Sequence, residues 1–395
     1  MKLAIVTTHP IQYNAPWFRL LAATGEVKPR VFYTWSQSSE GAKYDPDFGR
    51  KIEWDIPLLE GYEYQFVTNV AKDPGTHHFK GIINPTLVNE IIDWEPDAIL
   101  VFGWSFRSHL QCLRFFHGKI PVLFRGDSTL LDEVPGWRTR LRRIFLKWVY
   151  RNVDYALYTG VNNRDYFLIH GLTPDQLIFT PHAIDNDRFS GDEPRYAAGA
   201  LAWRRELGVD DNDLALLFAG KLESKKDPFF LLELAKAIDD PRLKFLFVGN
   251  GNLEAGLRSA AAADPRFRFL DFQNQQKMPV VYRLGDLFIL PSRGPGETWG
   301  LAVNEAMACG RPVLVSSKAG CAADLVRPGG NGLIIDAADP AAAIQFVKEA
   351  LADRTLLAAM GEDSRRMVQK YSFDVIVGAI LQVGTKIRAA SPAKS

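Results

Sequence analysis

LPSRGPGETWGLAVNEAMACGRPV, residues 290–313, sets two carboxylates, Glu297 and Glu305, around the start of a helix, with seven residues between them. A short apolar strand over 286–290 runs into a Pro/Gly-rich loop. A helix rich in small residues then opens at 298–301 and is stopped by Gly310 and Pro312. This puts Glu297 at the helix mouth and Glu305 inside the helix, among Ala302, Val303, Ala306 and Ala308. A carboxylate pressed against such a surface costs several kcal/mol unless something hydrogen-bonds it. A sugar diol can donate to both of its oxygens, and the backbone N–H groups of 298–301 present the positive helix end to an anion. Hydroxyls plus phosphate point to a nucleotide sugar. Taken alone, the pair also fits a helix whose Glu305 faces water and whose Glu297 is a cap.

Outward from this stretch, strand-like runs alternate with helical segments: LAIVTT, RVFYTW, DAILVFG, PVLFRG and DYALYTG, then LALLFAG, LKFLFVG, FRFLDF, LFILPS and RPVLVSS. Short runs that are apolar on both faces and joined by helix-length connectors predict buried parallel strands in doubly wound α/β sheets. The series occurs twice, with a break over 185–206. This predicts a domain over 1–188, a second over 189–370, and a terminal helix and tail over 371–395. Ligands in such sheets sit beyond the carboxyl ends of the strands, which places the expected site in a cleft between the domains.

The 395 residues suit two domains, and a net charge of +1 with 24% charged residues supplies no global field for nucleic acid. Cys112, Cys309 and Cys321 lack CxxC spacing, which opposes a disulfide or zinc-thiolate framework and fits a reducing cytoplasm. MKLAIVTTHPIQ carries too short an apolar run for an export signal, and no apolar run approaches the ~20 residues needed to span a bilayer. A cytoplasmic protein is expected. Gly249 and Gly251 follow a strand, but Glu254 occupies the third glycine position of a dinucleotide fingerprint, which disfavours NAD, and there is no Walker A sequence.

GETWGLAVNEAMACGRPV resembles the E-x7-E signature of retaining glycosyltransferases of family 4, the group 1 glycosyltransferases. FAGKLESKKDP (218–228) resembles that family's phosphate-binding turn, FVGNGNLEAGLR its next strand and turn, MPVVYRLGDLFILPS the approach to the signature, and FTPHAIDNDRF (179–189) the interdomain segment. The blocks occur in the family's order through the C-terminal half; the N-terminal half matches in layout alone. The resemblance implies a GT-B fold, with two Rossmann-like doubly wound domains facing a central cleft and a last helix crossing back to the first. It implies transfer of a hexosyl unit, with retention, from a UDP or GDP sugar to a glycan or lipid-linked acceptor in cell-surface polysaccharide or glycoconjugate biosynthesis. Under it, Glu297 grips the sugar and Glu305 the ribose. Lys221 and Lys226, with Gly220, Gly249 and the 298–301 segment (Thr298, Trp299, Gly300, Leu301), hold the diphosphate. Lys221 stands where Arg is common, which keeps the charge without the bidentate fork. Gln273, Asn274 and Gln275 follow the 267–272 strand, where the family holds the nucleobase; they fit a polar loop equally well.

In the N-terminal half, loops after strands are expected to carry acceptor contacts: His9, Gln12 and Tyr13, then Trp104, then Arg125 and Ser128. Asp127 of RGDS falls where the family often has a catalytic His, and THPIQY lacks the paired glycines of many relatives. The Asp-x-Asp pairs Asp45/Asp47, Asp185/Asp187 and Asp211/Asp213 read as turn formers or solvated groups. No metal and no cofactor is therefore expected, the departing diphosphate being neutralised by lysines and dipoles. His77 and His78 fit an acid–base pair or a solvated loop, and His182 a packing role. WRTRLRRIFLKWVYR (137–151) holds six basic residues, two Trp and no acid. It fits either a helix lying on anionic membrane, placing the protein on the inner face, or a domain helix with one wet basic side. A GT-B epimerase or phosphorylase, or a silent nucleotide-sugar-binding scaffold, are the alternative readings.

Overall fold

Strand β1 (Lys2–Thr7) buries five of its six residues and β10 (Leu214–Ala219) all six, which happens when a sheet is covered on both faces. The computed structural model describes residues 1–35, 43–45, 50–52 and 54–390, and places these strands at the centres of two separate parallel sheets. The chain divides into two compact units. The first comprises Met1–Lys43, Pro57–Pro181 and Phe373–Ser395; the second comprises Tyr44–Ile56 and His182–Ser372.

The first unit holds β1, β2 (Lys28–Tyr33), β5 (Glu63–Phe66), β6 (Ala98–Phe102), β7 (Val122–Arg125), β8 (Tyr155–Tyr158) and β9 (Leu177–Phe179), in the order β5-β2-β1-β6-β7-β8-β9. All neighbours are parallel. Phe32, Ile99, Val101 and Phe124 of the sheet pack with Leu113, Leu146 and Val149 of the covering helices. The Phe373–Ala390 helix packs in this unit against the Ala15–Ala23 helix and β9. A small two-stranded ribbon pairs β3 (Lys43–Asp45) with β4 (Arg50–Ile52). Asp45 is the last residue of β3; Asp47 lies outside the described residues.

The second unit holds β10, β11 (Leu243–Val248), β12 (Phe267–Leu270), β13 (Leu287–Leu290), β14 (Val313–Ser316) and β15 (Gly332–Ile335), parallel throughout in the order β12-β11-β10-β13-β14-β15. Phe218, Phe245, Phe247, Ile289 and Leu314 form its core with Phe230, Leu234 and Val347 of the helices. Strand order runs outward from β10 in one direction through β11 and β12, and from β13 in the other through β14 and β15. The β10/β13 boundary is thus the topological switch point, where a crevice opens beyond the strand ends.

Residues 182–188, placed in the first domain by the sequence pattern, belong to the second unit. The Asn186–Ser190 helix packs on the Met278–Tyr282 and Leu301–Ala308 helices, and the Asn186 amide donates to the carbonyls of Val368 and Tyr371. Asp185 caps that helix by accepting from the Arg188 amide at 3.0 Å, and Asp213 accepts from the Asp210 amide at 2.8 Å. Both are turn and cap groups.

Candidate functional site

The loops that follow β10 and β13 meet at the switch point. A side chain cannot fit where the β10 and β11 turns touch, since a Cβ on Gly249 would lie 2.1 Å from the Gly220 carbonyl oxygen. The β10 turn continues through Lys221 to a 3-10 turn over Ser224–Lys226, and it is latched to the β13 loop. Amides of Arg293 and Gly294 donate to the Lys225 carbonyl at 3.0 and 3.3 Å, and the Arg293 guanidinium pairs with Asp227 at 2.5 Å. Burial pushes the Asp227 carboxyl above its ordinary range against the pull of Arg293.

Across this latch Lys226 Nζ meets Glu297 Oε2 at 2.6 Å, with the two side chains only 14% and 9% exposed. The Ser292 hydroxyl lies 3.5 Å from the same oxygen. Gly300 caps the Leu301–Ala308 helix at φ +103, a conformation that L side chains rarely adopt, and its absent Cβ leaves Leu290 in place. The amides of Gly320 and Cys321 hold the carbonyls of Glu297 and Trp299 at 3.0 Å. The 297–300 segment is therefore fixed from behind, and the helix's first amides begin directly beyond it, the third of them, that of Val303, donating to the Gly300 carbonyl at 2.9 Å.

Glu305 is 3% exposed, and Tyr282 donates to its Oε2 at 2.5 Å. The sequence reading left a ligand diol as the partner of this buried carboxylate; the protein itself supplies a hydroxyl. Trp299, expected at the donor site, is buried. Its indole donates to Asn304 at 2.8 Å, its ring packs against His182 and Tyr371, and Asn304 in turn donates to the His182 carbonyl. The Trp299 side chain is thus used within the protein. His182 takes the packing role expected of it. In the loop after β12, the Gln273 amide donates to the Asp271 carbonyl and buried Gln275 accepts from Arg188 at 2.8 Å. Asn274 Oδ1 accepts from the Gln275 amide. Each of the three amides is already used in shaping the loop.

In the first unit β1, β6 and β7 are neighbours, so the loops bearing His9, Trp104 and Asp127 leave the sheet side by side, and the Gly103 amide donates to the Arg125 carbonyl. His9 Nδ1 lies 3.0 Å from the Thr8 hydroxyl, with its ring against Trp35. Gln12 and Tyr13 are half-buried, Trp104 packs edge-on against Phe145, and Asp127 is exposed. The Ser128 carbonyl accepts from Asn163 at 2.8 Å. Arg125 is turned into the protein. Its guanidinium is buried and donates to the Thr180 carbonyl and hydroxyl and to the Pro181 carbonyl at 2.7–3.1 Å. Burial lowers its pKa to about 10, with Asp127 opposing. The sequence reading missed Ser292, Tyr282 and Asn304, whose partners no local motif announces.

Residues 200–367 match the family model described as glycosyl transferases group 1. The D-inositol 3-phosphate glycosyltransferase of Geodermatophilus obscurus is 32% identical over 241 residues, 56% of this chain and 51% of that protein. The sulfoquinovosyl transferase SQD2 of Arabidopsis thaliana is 24% identical over 307 residues, 74% of this chain and 57% of that one. The chain spans about half the length of the curated relatives it matches. Among solved structures, Anabaena HepE in complex with UDP superposes with a TM-score of 0.73 at 17% identity, over 98% of this chain and 100% of that one. Sucrose-phosphate synthase from Thermosynechococcus elongatus gives 0.72 at 19%, over 99% and 100%. The fold is the two-sheet α/β fold of these enzymes, the GT-B class.

Proposed function

We propose that the protein is a glycosyltransferase that moves a hexosyl unit from a UDP or GDP sugar to a glycan or lipid-linked acceptor, with retention and without a divalent metal, in glycoconjugate biosynthesis. The observation that carries this reading is the Lys226–Glu297 ion pair at the switch point, inside the segment that matches the family. A diphosphate arriving at the helix start draws the Lys226 ammonium to itself. That frees Glu297 to accept hydrogen bonds from sugar hydroxyls beside the reacting carbon, while Lys221 and the amides beyond Gly300 share the remaining phosphate charge. Charge developing on the departing diphosphate is met by groups already in place, and one such contact is worth ~10²–10³-fold in turnover. No nucleophile of the protein is required: the diphosphate, on the face the acceptor hydroxyl approaches, takes its proton. Glu305, with Tyr282 on one oxygen, is assigned to the ribose. Acceptor contacts are assigned to His9, Gln12, Tyr13, Trp104 and Ser128, and Asp127 to the reaction centre.

Calorimetric titration with UDP, GDP, ADP and dTDP in EDTA tests the donor site. Binding of one nucleotide, weakened in Lys226→Ala, is expected. Silence towards all four would remove the reading.

A membrane-bound acceptor is favoured by the Trp137–Tyr150 helix. Trp137, Leu141 and Ile144 share one helix face and are exposed, the first and last at 68% and 67%, amid basic side chains. Water against that much aromatic and aliphatic surface is unfavourable, and an anionic bilayer meets both the apolar row and the charge. No helix among the described residues is long and apolar enough to cross a membrane. Co-sedimentation with anionic vesicles, lost in Trp137→Ser/Ile144→Ser, is expected; sedimentation unchanged in that variant would remove this part.

A further inference from the structure

We propose that Asp73, His77 and His78 form a binding site for a divalent transition-metal ion, Zn²⁺ by ligand chemistry, in the first unit and separate from the donor site. The proposal does not rest on the transfer reading. Its observation is a convergence of ligand atoms: His77 Nε2 lies 3.1 Å and His78 Nε2 3.3 Å from one oxygen, Asp73 Oδ2. All three atoms fall within 4.8 Å of one another. In tetrahedral zinc coordination, with N and O ligands at about 2.0–2.1 Å, neighbouring ligand atoms stand about 3.3 Å apart. The two measured separations are edges of such a tetrahedron.

The loop is built to bring these groups together. Its neck is closed by Asn69, whose Nδ2 donates to the Gly81 carbonyl while its Oδ1 accepts from the amides of Ala71 and Ile83. The Gly75 amide donates to the Gly81 carbonyl, and a Cβ on Gly81 would lie 2.1 Å from the Gly75 oxygen. A Cβ on Gly75 would strike His77 Nδ1 at 2.6 Å, so a glycine there lets the ring fold back towards Asp73. His78 follows in extended backbone and its ring meets that of His77 at 4.5 Å. Within residues 71–77 Gly75 alone is buried, so the segment is organised by its neck and by the Asp–His contacts at its tip rather than by a core of its own.

Two imidazoles and one carboxylate suit Zn²⁺, Cu²⁺ or Ni²⁺, not the hard oxygen-seeking Mg²⁺ or Ca²⁺. His78 Nε2 also lies 3.0 Å from the Asp73 carbonyl, so without an ion that nitrogen carries the proton; binding moves the proton to Nδ1, each ring then gives the ion an Nε2 lone pair, and water completes the shell. The ion then closes the segment as a cross-link. The site lies in the connection between β5 and β6, and none of its three residues is among those assigned to the diphosphate.

The test uses the full chain, stripped of metal and titrated with Zn²⁺ by calorimetry and with Co²⁺ by visible absorption. One ion per chain and the intense bands of tetrahedral Co²⁺ are expected in the wild type. His77→Ala/His78→Ala and Asp73→Asn are each expected to bind at least about tenfold more weakly, since even outer-shell partners of metal ligands carry that much. The Asp73 and His77 side chains are more than half exposed and that of His78 about a third, so these variants keep the fold, which circular dichroism checks, and keep any nucleotide binding. Zn²⁺ bound equally by the double variant and the wild type, or no stoichiometric ion in the wild type, would overturn the site.

Discussion

Lys226 and Glu297 each neutralise a charge that the fold has largely removed from water. Truncating one leaves the other uncompensated, so Lys226→Met and Glu297→Gln should each destabilise the second unit by about 1–3 kcal/mol. The double variant should lose less than the sum, with a coupling of roughly 0.5–3 kcal/mol. Urea unfolding of the four proteins measures the cycle, and strict additivity would mean that the pair is not energetically real. On the proposed reading both single variants also lose ~10²–10³-fold in transfer. Because stability and turnover fall together, turnover is read where circular dichroism shows each variant fully folded, which separates a catalytic role from a merely structural one.

The same logic reaches Glu305. Its Tyr282 partner lies 23 residues upstream in MPVVY, where an aromatic among apolar residues reads as core. Tyr282→Phe keeps the ring and removes the donor. It should cost about 1–3 kcal/mol by leaving a buried carboxylate oxygen unmet, and should weaken nucleotide binding if Glu305 holds the ribose. Unfolding and calorimetry read the two effects separately; a variant as stable as wild type would show that the oxygen finds another donor.

Elements were more legible than side-chain destinations, for a physical reason. A strand covered on both faces must be apolar along nearly its whole length, so LALLFA and LKFLFV, the latter with Lys244 as its one polar residue, declare β10 and β11 without reference to the rest of the chain. Glu297 was legible because helix mouth, Pro/Gly loop and small-residue helix lie within one stretch. Arg125 was not. RGDS reads as a polar loop, yet the arginine is the last residue of β7 and its three acceptors come from Thr180 and Pro181, 55 and 56 residues away. Gly320 was equally silent, although it decides how two segments pack: a Cβ there would lie 1.7 Å from the Thr298 carbonyl oxygen. Backbone cannot swing aside as a side-chain tip can. Gly320→Ala should therefore cost about 3 kcal/mol and shift the 297–300 segment. A lowered urea midpoint with loss of nucleotide affinity is the expected result, and wild-type values in both would show that the strap holding Glu297 is slack.

At the scale of the whole molecule, acid tolerance is set in the first unit by a histidine that the sequence did not single out. His109 is fully buried, with Nδ1 2.7 Å from the Phe102 carbonyl and Nε2 3.0 Å from the Thr34 hydroxyl. The carbonyl requires a proton on Nδ1, burial keeps the ring neutral, and Nε2 shares the Thr34 hydroxyl with the Thr7 carbonyl at 3.1 Å. Burial pushes its pKa down from 6.5 to about 4. An unfolded chain binds a proton at this ring below pH 6.5, whereas the folded chain refuses it until about pH 4. Stability is therefore complete above pH 6.5 and falls as the pH drops through that window, by up to ~1.4 kcal/mol per unit and about 3 kcal/mol in all. Burial also holds His170 down, which adds to the loss in the same direction, whereas carboxylates with depressed values such as Glu63 act at more acid pH. Thermal unfolding of wild type and His109→Gln between pH 7 and pH 5 isolates the ring, because His170 is common to both. The variant starts less stable and should lose less on acidification. Parallel curves would mean that His109 takes up its proton in the folded state, and the neutral, carbonyl-bound ring would have to be abandoned.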